Sequence, residues 1–475
     1  MRCARHSSRE TGRLACAPPF LLMTKGHAFL TARGLARAML AGSPAADGVH
    51  ARCLQTLGGE QAQWLHRLID ELLPLSAATW DKLGIDDLAH RIVDTQAFQD
   101  ALGLKSRPRI VRWILRPSHM HAAPLGLHDI PLPKLDDAQA MVTWLRITPD
   151  DLRWFCDGGA RRRKNTLAQQ HYTYHLRPKA SGGRRLIEAP RSRLKQLQEG
   201  ILRDLLSRVP VHEACHGFVG GRSVITHARL HEGQAVVVRF DLRDFFASVQ
   251  AAQVQAVFKT LGYPPGVAAD LTALCTTRTP EPVLQRLRED DSLDWHQAMR
   301  LRSAHLPQGA PSSPMLANLC AFRLDLRLAE LAHVMDARYS RYADDLVFSG
   351  GDSLRQAFQR LQAWVGKIAA EEGREINHRK TRLMTQAQPQ AVCGVVVNEH
   401  ANLRRAEFDR LRAILHRSAL DGPAATADRP LPEWRRHLLG RIAWAEQLNP
   451  AKSKRLRALW DRIAWPADAG ATIAP

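Results

Sequence analysis

Arg341-Tyr342-Ala343-Asp344-Asp345-Leu346-Val347-Phe348 decides how this chain is read. Two adjacent carboxylates sit between two runs of β-forming residues, which predicts a tight β-hairpin with the acids at or beside its tip. Adjacent like charges repel, and a fold gains little by holding them together unless a cation neutralises them. Mg²⁺ is the obvious cation, and phosphoryl or nucleotidyl transfer is its obvious use. The competing reading is an ordinary solvated turn, since Asp is common in turns.

A two-metal site draws its acids from more than one element. Upstream, the apolar and β-branched run Ala235–Phe240 leads into Asp241, which predicts a buried strand ending in an acid. Asp241 could equally cap a following helix, although Asp244 is the better candidate for a cap or a surface position. Between these acids and the hairpin, His305-Leu306-Pro307-Gln308-Gly309-Ala310-Pro311-Ser312-Ser313-Pro314 reads as a shaped loop that enters an amphipathic helix at Met315. Such a loop can lay a backbone amide and the Gln308 side chain against a nucleotide. As a generic Pro/Gly turn it would carry no information.

In this order and approximate spacing, Asp241 with Asp244-Phe245-Phe246, then Leu306–Pro314, then Tyr342-Ala343-Asp344-Asp345 resemble the reverse transcriptases, and more narrowly the bacterial retron group. Lys179–Pro190 looks like the family's fingers hairpin, and Gly217–Ser223 like the segment before the first catalytic strand. Glu372–Thr381 resembles the block after the catalytic hairpin, and Gly440–Trp444 with Leu448-Asn449-Pro450 the retron thumb. The resemblance covers about residues 135–465. Two positions depart from it. His227-Ala228-Arg229-Leu230-His231 has His where retron enzymes carry Asn, and Val392-Cys393-Gly394 has Cys where they carry Thr.

The resemblance implies an α+β right-hand polymerase fold: fingers, a ferredoxin-like palm and a helical thumb. It implies that Asp241, Asp344 and Asp345 hold two Mg²⁺ ions, with Asp345 more supporting than direct. Lys179 and Arg185, flanking Gly182-Gly183, would neutralise the triphosphate, and Arg suits this because its fork meets two phosphate oxygens. Phe246 would stack under the deoxyribose and exclude a 2′-hydroxyl. Phe245 reads as core, because successive strand residues point to opposite faces. Gln308 and Gly309 would contact the nucleotide or its template base, and Lys380 would protonate pyrophosphate or touch a template phosphate. The family copies a structured noncoding RNA from dNTPs, primes from an internal guanosine 2′-hydroxyl and makes a branched RNA–DNA hybrid. Its wider systems act in phage defence beside a separate effector.

Composition agrees. The chain has 67 Lys+Arg against 47 Asp+Glu, a formal charge of +20, which points to a polyanionic partner and salt-sensitive binding. Residues 401–475 hold 14 Lys+Arg against 8 Asp+Glu and read as helices around Leu411–Leu420, Trp434–Leu448 and Lys452–Ile463, fit to grip a duplex. None of the 8 cysteines forms a Cys-x-x-Cys pair, so neither a zinc site nor a disulfide scaffold is indicated, and a reducing cytosol fits. No apolar run is long enough to span a bilayer.

Four segments are expected. Residues 1–134 form an N-terminal extension, poorly ordered over 1–50 and helical over 51–115. Residues 135–235 carry a short helical pair, Asp136–Trp144 and Pro149–Asp157, and the fingers. Residues 236–400 form the palm, with a charged surface insertion at 276–304 that Trp295 would dock, and residues 401–475 form the thumb. The basic run Arg161–Lys164 is a candidate RNA contact. The rival readings are a group II intron or abortive-infection reverse transcriptase, and a nucleic-acid scaffold that sequesters an effector. The short tail after Pro466 is read as leaving no room for a maturase.

Overall fold

The computed structural model describes residues 20–59, 63–73, 79–80, 83–104, 106–114, 120–121, 123, 126–156, 170–179, 182–290 and 292–466. They fall into two compact units that divide between Ser118 and His119. The basic run Arg161–Lys164 lies outside the described residues.

The first unit is helical: Phe20–Leu40, Ala46–Thr56, Gln63–Leu72, Ile85–Asp94 and Gln96–Leu102. Leu65, Leu68, Ile69 and Leu72 recur at three- and four-residue steps and bury one face of their helix. They join Leu35, Met39, Leu88, Ile92 and Phe98 in a core of the unit's own. Residues 20–50 thus depart from the expected disorder. Their alanines are the strongest helix formers, and Ala32, Ala36 and Ala38 are fully buried, small enough to admit close packing. Arg52 closes the first helix, donating to the carbonyls of Ala38 at 2.8 Å and Met39 at 3.0 Å. The expected boundary near 134 falls instead at 118, because the following segment is fastened into the second unit. Met120 N–H donates to Asp136 at 2.7 Å, and His121 N–H to Gly262 at 2.8 Å.

The second unit is built on an antiparallel sheet of β3 (Val236–Asp241), β4 (Ala337–Tyr342), β5 (Asp345–Gly350) and β6 (Arg382–Thr385), in the order β4-β5-β3-β6. The central strand β3 is buried on both faces, which its unbroken apolar run demands. Val236, Val238 and Phe240 enter the main core with Leu346 and Phe348. Val237 enters a second cluster with Val347, Val392, Val395 and Leu448. Before the sheet in sequence, β1 (Tyr172–Pro178) and β2 (Arg184–Pro190) form an antiparallel ribbon. After it, helices Arg405–Asp421, Leu431–Leu448 and Pro450–Trp460 pack around Leu411, Leu415, Leu438, Ile442 and Leu456. Asn449 caps the last of these, accepting from Lys452 N–H at 3.0 Å, with Pro450 in the first turn.

The segment 276–304 is more than a surface insertion. Its helices Glu281–Glu289 and Trp295–Arg302 bury Leu284, Leu287 and Leu301 against Leu176 and Leu186 of the ribbon and against Ala247. Trp295 does not dock it: the indole is 69% exposed. Leucines on the inward helical faces fill the contact, leaving the tryptophan on the outward face.

Candidate active site

Tyr342 pairs with Asp345 across β4 and β5, so Ala343 and Asp344 are the two residues of the turn. Ala343 takes the left-handed conformation such a turn requires, at φ 54°. Two features lock the tip. Gly217 lies so close behind it that a Cβ there would sit 2.7 Å from the Ala343 nitrogen. Arg341 is fully buried and grips Asp325 with both ends of its fork, at 2.7 and 2.6 Å, while donating to the Ala343 carbonyl at 3.1 Å.

The hairpin lies against β3 with Asp345 opposite Asp241, and Leu242 N–H donates to the Asp344 carbonyl at 2.9 Å. A cleft of about 760 Å³ opens here. Its lining brings together seven residues expected from the sequence: Lys179, Arg185, Asp241, Phe246, Gln308, Asp344 and Lys380. Asp345 and Gly309 are not among them. Asp345 instead accepts from Arg239 at 3.0 Å and from the Cys393 thiol at 3.5 Å. Gly309 serves a close approach: at φ 140° its Cβ would meet the Glu188 carbonyl at 2.9 Å, and Glu188 N–H donates to the Gln308 carbonyl at 2.9 Å. The loop at 308 is thereby sewn to β2.

Electrostatics favour a cation in the cleft. The Asp344 carboxyl is pushed up to about 6, by burial first and then by the neighbouring Asp345 and Asp241 carboxylates. Lys380 answers part of that charge, its ammonium 2.9 Å from Asp241. Arg177 stands directly opposite Arg185 in the ribbon register, with Lys179 and Arg184 beside them. Like charges facing each other across strands are unfavourable unless an anion lies between them. One side of the cleft is therefore suited to a metal ion and the other to phosphate. Among the described residues, no three His, Cys, Asp or Glu side chains already converge as a metal shell. Asp241 and Asp344 supply the hard oxygens that Mg²⁺ prefers, and a nucleotide's phosphates can supply others.

Several cleft features escape a reading of the sequence. Gln297 and Arg300, on helix Trp295–Arg302, line the same cleft and hold Asp244 at 3.0 and 3.2 Å. Arg300 also donates to Glu375 at 2.9 Å, and Arg243 meets that carboxylate at 2.7 Å. Asp244 is thus neither a cap nor a surface residue. Below the ribbon, the buried Glu188 accepts from Thr279 at 2.7 Å and pairs with the buried His305 at 3.0 Å. The polar type and burial of Glu188 give no sign in the sequence, but His305 does adjoin the recognised Leu306–Pro314 block.

The family described as reverse transcriptase (RNA-dependent DNA polymerase) matches residues 177–397. The retron Mx65 reverse transcriptase of Myxococcus xanthus is 42% identical over 60% of this chain and 64% of its own length. The retron Mx162 reverse transcriptase of the same organism is 34% identical over 69% of this chain and 67% of its own. The chain belongs to the retron reverse transcriptases. A more distant member, the retron Ec86 reverse transcriptase of Escherichia coli, is 29% identical over 61% of this chain and 80% of its own. The match thus spans just under two thirds of the Mx65 enzyme. This retron reverse transcriptase has a right-hand polymerase fold, and the family match runs from the end of β1 through the whole of the sheet β3–β6.

Proposed function

We propose that this protein is an RNA-directed DNA polymerase that copies a structured noncoding RNA from dNTPs into a branched, RNA-linked single-stranded DNA. The observation that carries this reading is one cleft lined by Asp241, Asp344, Lys179, Arg185 and Phe246. Asp241 and Asp344 would hold two Mg²⁺ ions, with Asp345 in support. When bound, such ions lower the pKa of the primer hydroxyl and neutralise the charge that builds on pyrophosphate. Lys179 and Arg185 bind the triphosphate from the ribbon side. Phe246 packs beneath the sugar and leaves no room for a 2′-hydroxyl. Gln308 orients the incoming nucleotide. Lys380 carries the proton that the leaving pyrophosphate takes up.

The branched product, priming from a 2′-hydroxyl, and a role in phage defence beside a separate effector rest on family membership. The proposed reaction is a cytosolic one. Among the described residues no helix is long and apolar enough to cross a membrane.

Sequencing the nucleic acid that co-purifies with the protein tests the proposal. One defined DNA, joined to RNA at a branch and shortened by ribonuclease, is the expected result. Recovery of unbranched copies of cellular RNA alone would overturn the retron-type reading.

A further inference from the structure

Asp244 is a non-glycine residue in the left-handed region, at φ 46°, two positions before Phe246. L-residues with a Cβ adopt this conformation at a cost, and it persists only where the surroundings hold it. Here the holding groups are visible. Gln297 donates to one carboxylate oxygen of Asp244 at 3.0 Å and Arg300 to the other at 3.2 Å. The second arm of the same guanidinium reaches Glu375 at 2.9 Å, and the Glu375 carbonyl accepts from Arg243 N–H at 2.8 Å. Asp244 is therefore braced from its side chain, and the backbone just before it from the neighbouring strand segment. The kink at Asp244 lets the next two rings diverge. Both rings reach the lining of the cleft, but Phe245 is only 5% exposed and packs in the core under the guanidinium of Arg374, while Phe246 is half-buried and offers more of its ring to the cleft.

We infer that helix Trp295–Arg302 sets the sugar specificity of the enzyme, with Gln297 and Arg300 as positioning residues that fix Phe246 through Asp244. The helix can do this because it is itself anchored. Leu301 is packed with Leu284 and Leu287 against the ribbon and Ala247, and Ala247 follows Phe246 directly in the chain. Asp294 caps the helix, accepting from Gln297 N–H at 2.8 Å. A displacement of Gln297 or Arg300 releases Asp244 towards ordinary right-handed or extended backbone, and the Phe246 ring moves with it. Neither side chain needs to touch the nucleotide. The consequence appears in discrimination between deoxynucleotide and ribonucleotide rather than in turnover alone.

The inference rests on the reading of Phe246 as the residue that excludes the 2′-hydroxyl, and the test separates the two. The full-length protein extends an oligo(dG) primer on poly(rC), with dGTP or GTP as the nucleotide, and kcat/KM is measured for each. Phe246→Val should raise the relative use of GTP; if it does not, the role of Phe246 itself fails. With that role standing, Arg300→Met should lower the dGTP:GTP preference by about tenfold, the order expected for loss of a charge-assisted hydrogen bond. Gln297→Ala, which removes a neutral donor to Asp244 and the acceptor that Asp294 N–H meets at 3.3 Å but keeps the Asp294 side-chain cap, should lower it by a smaller factor in the same direction. The two variants together keep the test open if Arg300→Met folds poorly in thermal melts. A fall in dGTP and GTP efficiency by the same factor in both variants, with Phe246→Val still relaxed, overturns the inference and leaves the helix a structural support.

Discussion

Arg239 donates to Asp345 at 3.0 Å between adjacent strands, and this contact separates the two neighbouring acids of the hairpin. Asp344 faces the cleft, whereas Asp345 is spent on Arg239 and the Cys393 thiol. Equal mutations at the two positions should therefore have unequal effects. Asp344→Asn should lower single-turnover dNTP incorporation by about a thousandfold or more, the scale of losing a metal-borne charge in the transition state, while RNA binding is retained. Asp345→Asn should cost about tenfold. Equal losses would show that Asp345 leaves Arg239 to join the site during catalysis.

The pair Arg341–Asp325 is fully buried on both sides. Removing the arginine leaves the Asp325 charge without its counter-ion in the core, with the Tyr339 hydroxyl donating to it at 2.9 Å. Arg341→Met should destabilise the protein by about 3–5 kcal/mol in urea unfolding. A change below about 1 kcal/mol would mean that water reaches Asp325 once the arginine is gone.

Three histidines lie behind the hairpin. Burial drives their basicity down, His227 to about 2, His231 to about 3 and His216 to about 4. His231 is held between Ser349 and Ser340, both at 2.7 Å, and Ser340 meets His227 at 2.8 Å. A histidine with a lowered folded-state pKa adds stability above its unfolded pKa near 6.5 and loses it as pH falls. Stability should thus drop steeply below pH ~6.5, by up to about 1.4 kcal/mol per pH unit for each histidine. His305 acts in the opposite sense. Its burial opposes protonation, but Glu188 outweighs it and raises the pKa, so its contribution is present at low pH and fades as pH rises. The three lowered groups dominate the acid side. His227→Asn keeps a partner for Ser340 and should reduce the acid slope by about a third in urea midpoints measured between pH 7 and 5.

Gly217 offers a test of the turn itself. A methyl group there would meet the Ala343 backbone at 2.7 Å, where neither partner can yield by rotating a side chain. Gly217→Ala should cut polymerase activity by about tenfold or more, with stability lowered by only about 1–3 kcal/mol. Wild-type kinetics in this variant would show that the tip tolerates displacement.

The strands, the hairpin tip and the acids at 241 and 344 were legible because each is a local pattern: an apolar run ending in Asp, or two acids between β-formers. The cleft residues on the ribbon and at 308 became legible only through motif order, since a lone Lys or Gln signals nothing. The roles of Arg300, Gln297 and Arg239 were not legible. Each acts through a partner more than 50 residues away in the chain, a pairing that only the closed fold creates. The expectation for Trp295 failed because size alone marked it for burial, while helical phase gave the inward face to Leu301.

The ribbon β1–β2 is held to the segment 276–305 at both of its ends. At the base Glu188 meets Thr279 and His305, and near the tip Arg184 meets Asp290 at 2.8 Å and Ser292 at 2.8 Å. One stretch of chain therefore acts as the caliper of the cleft. Its length sets how far Arg177 and Arg185 stand from Asp241 and Asp344. Lengthening or trimming the turn between its two helices should retune that gap while Asp241, Asp344, Lys179 and Arg185 stay unaltered.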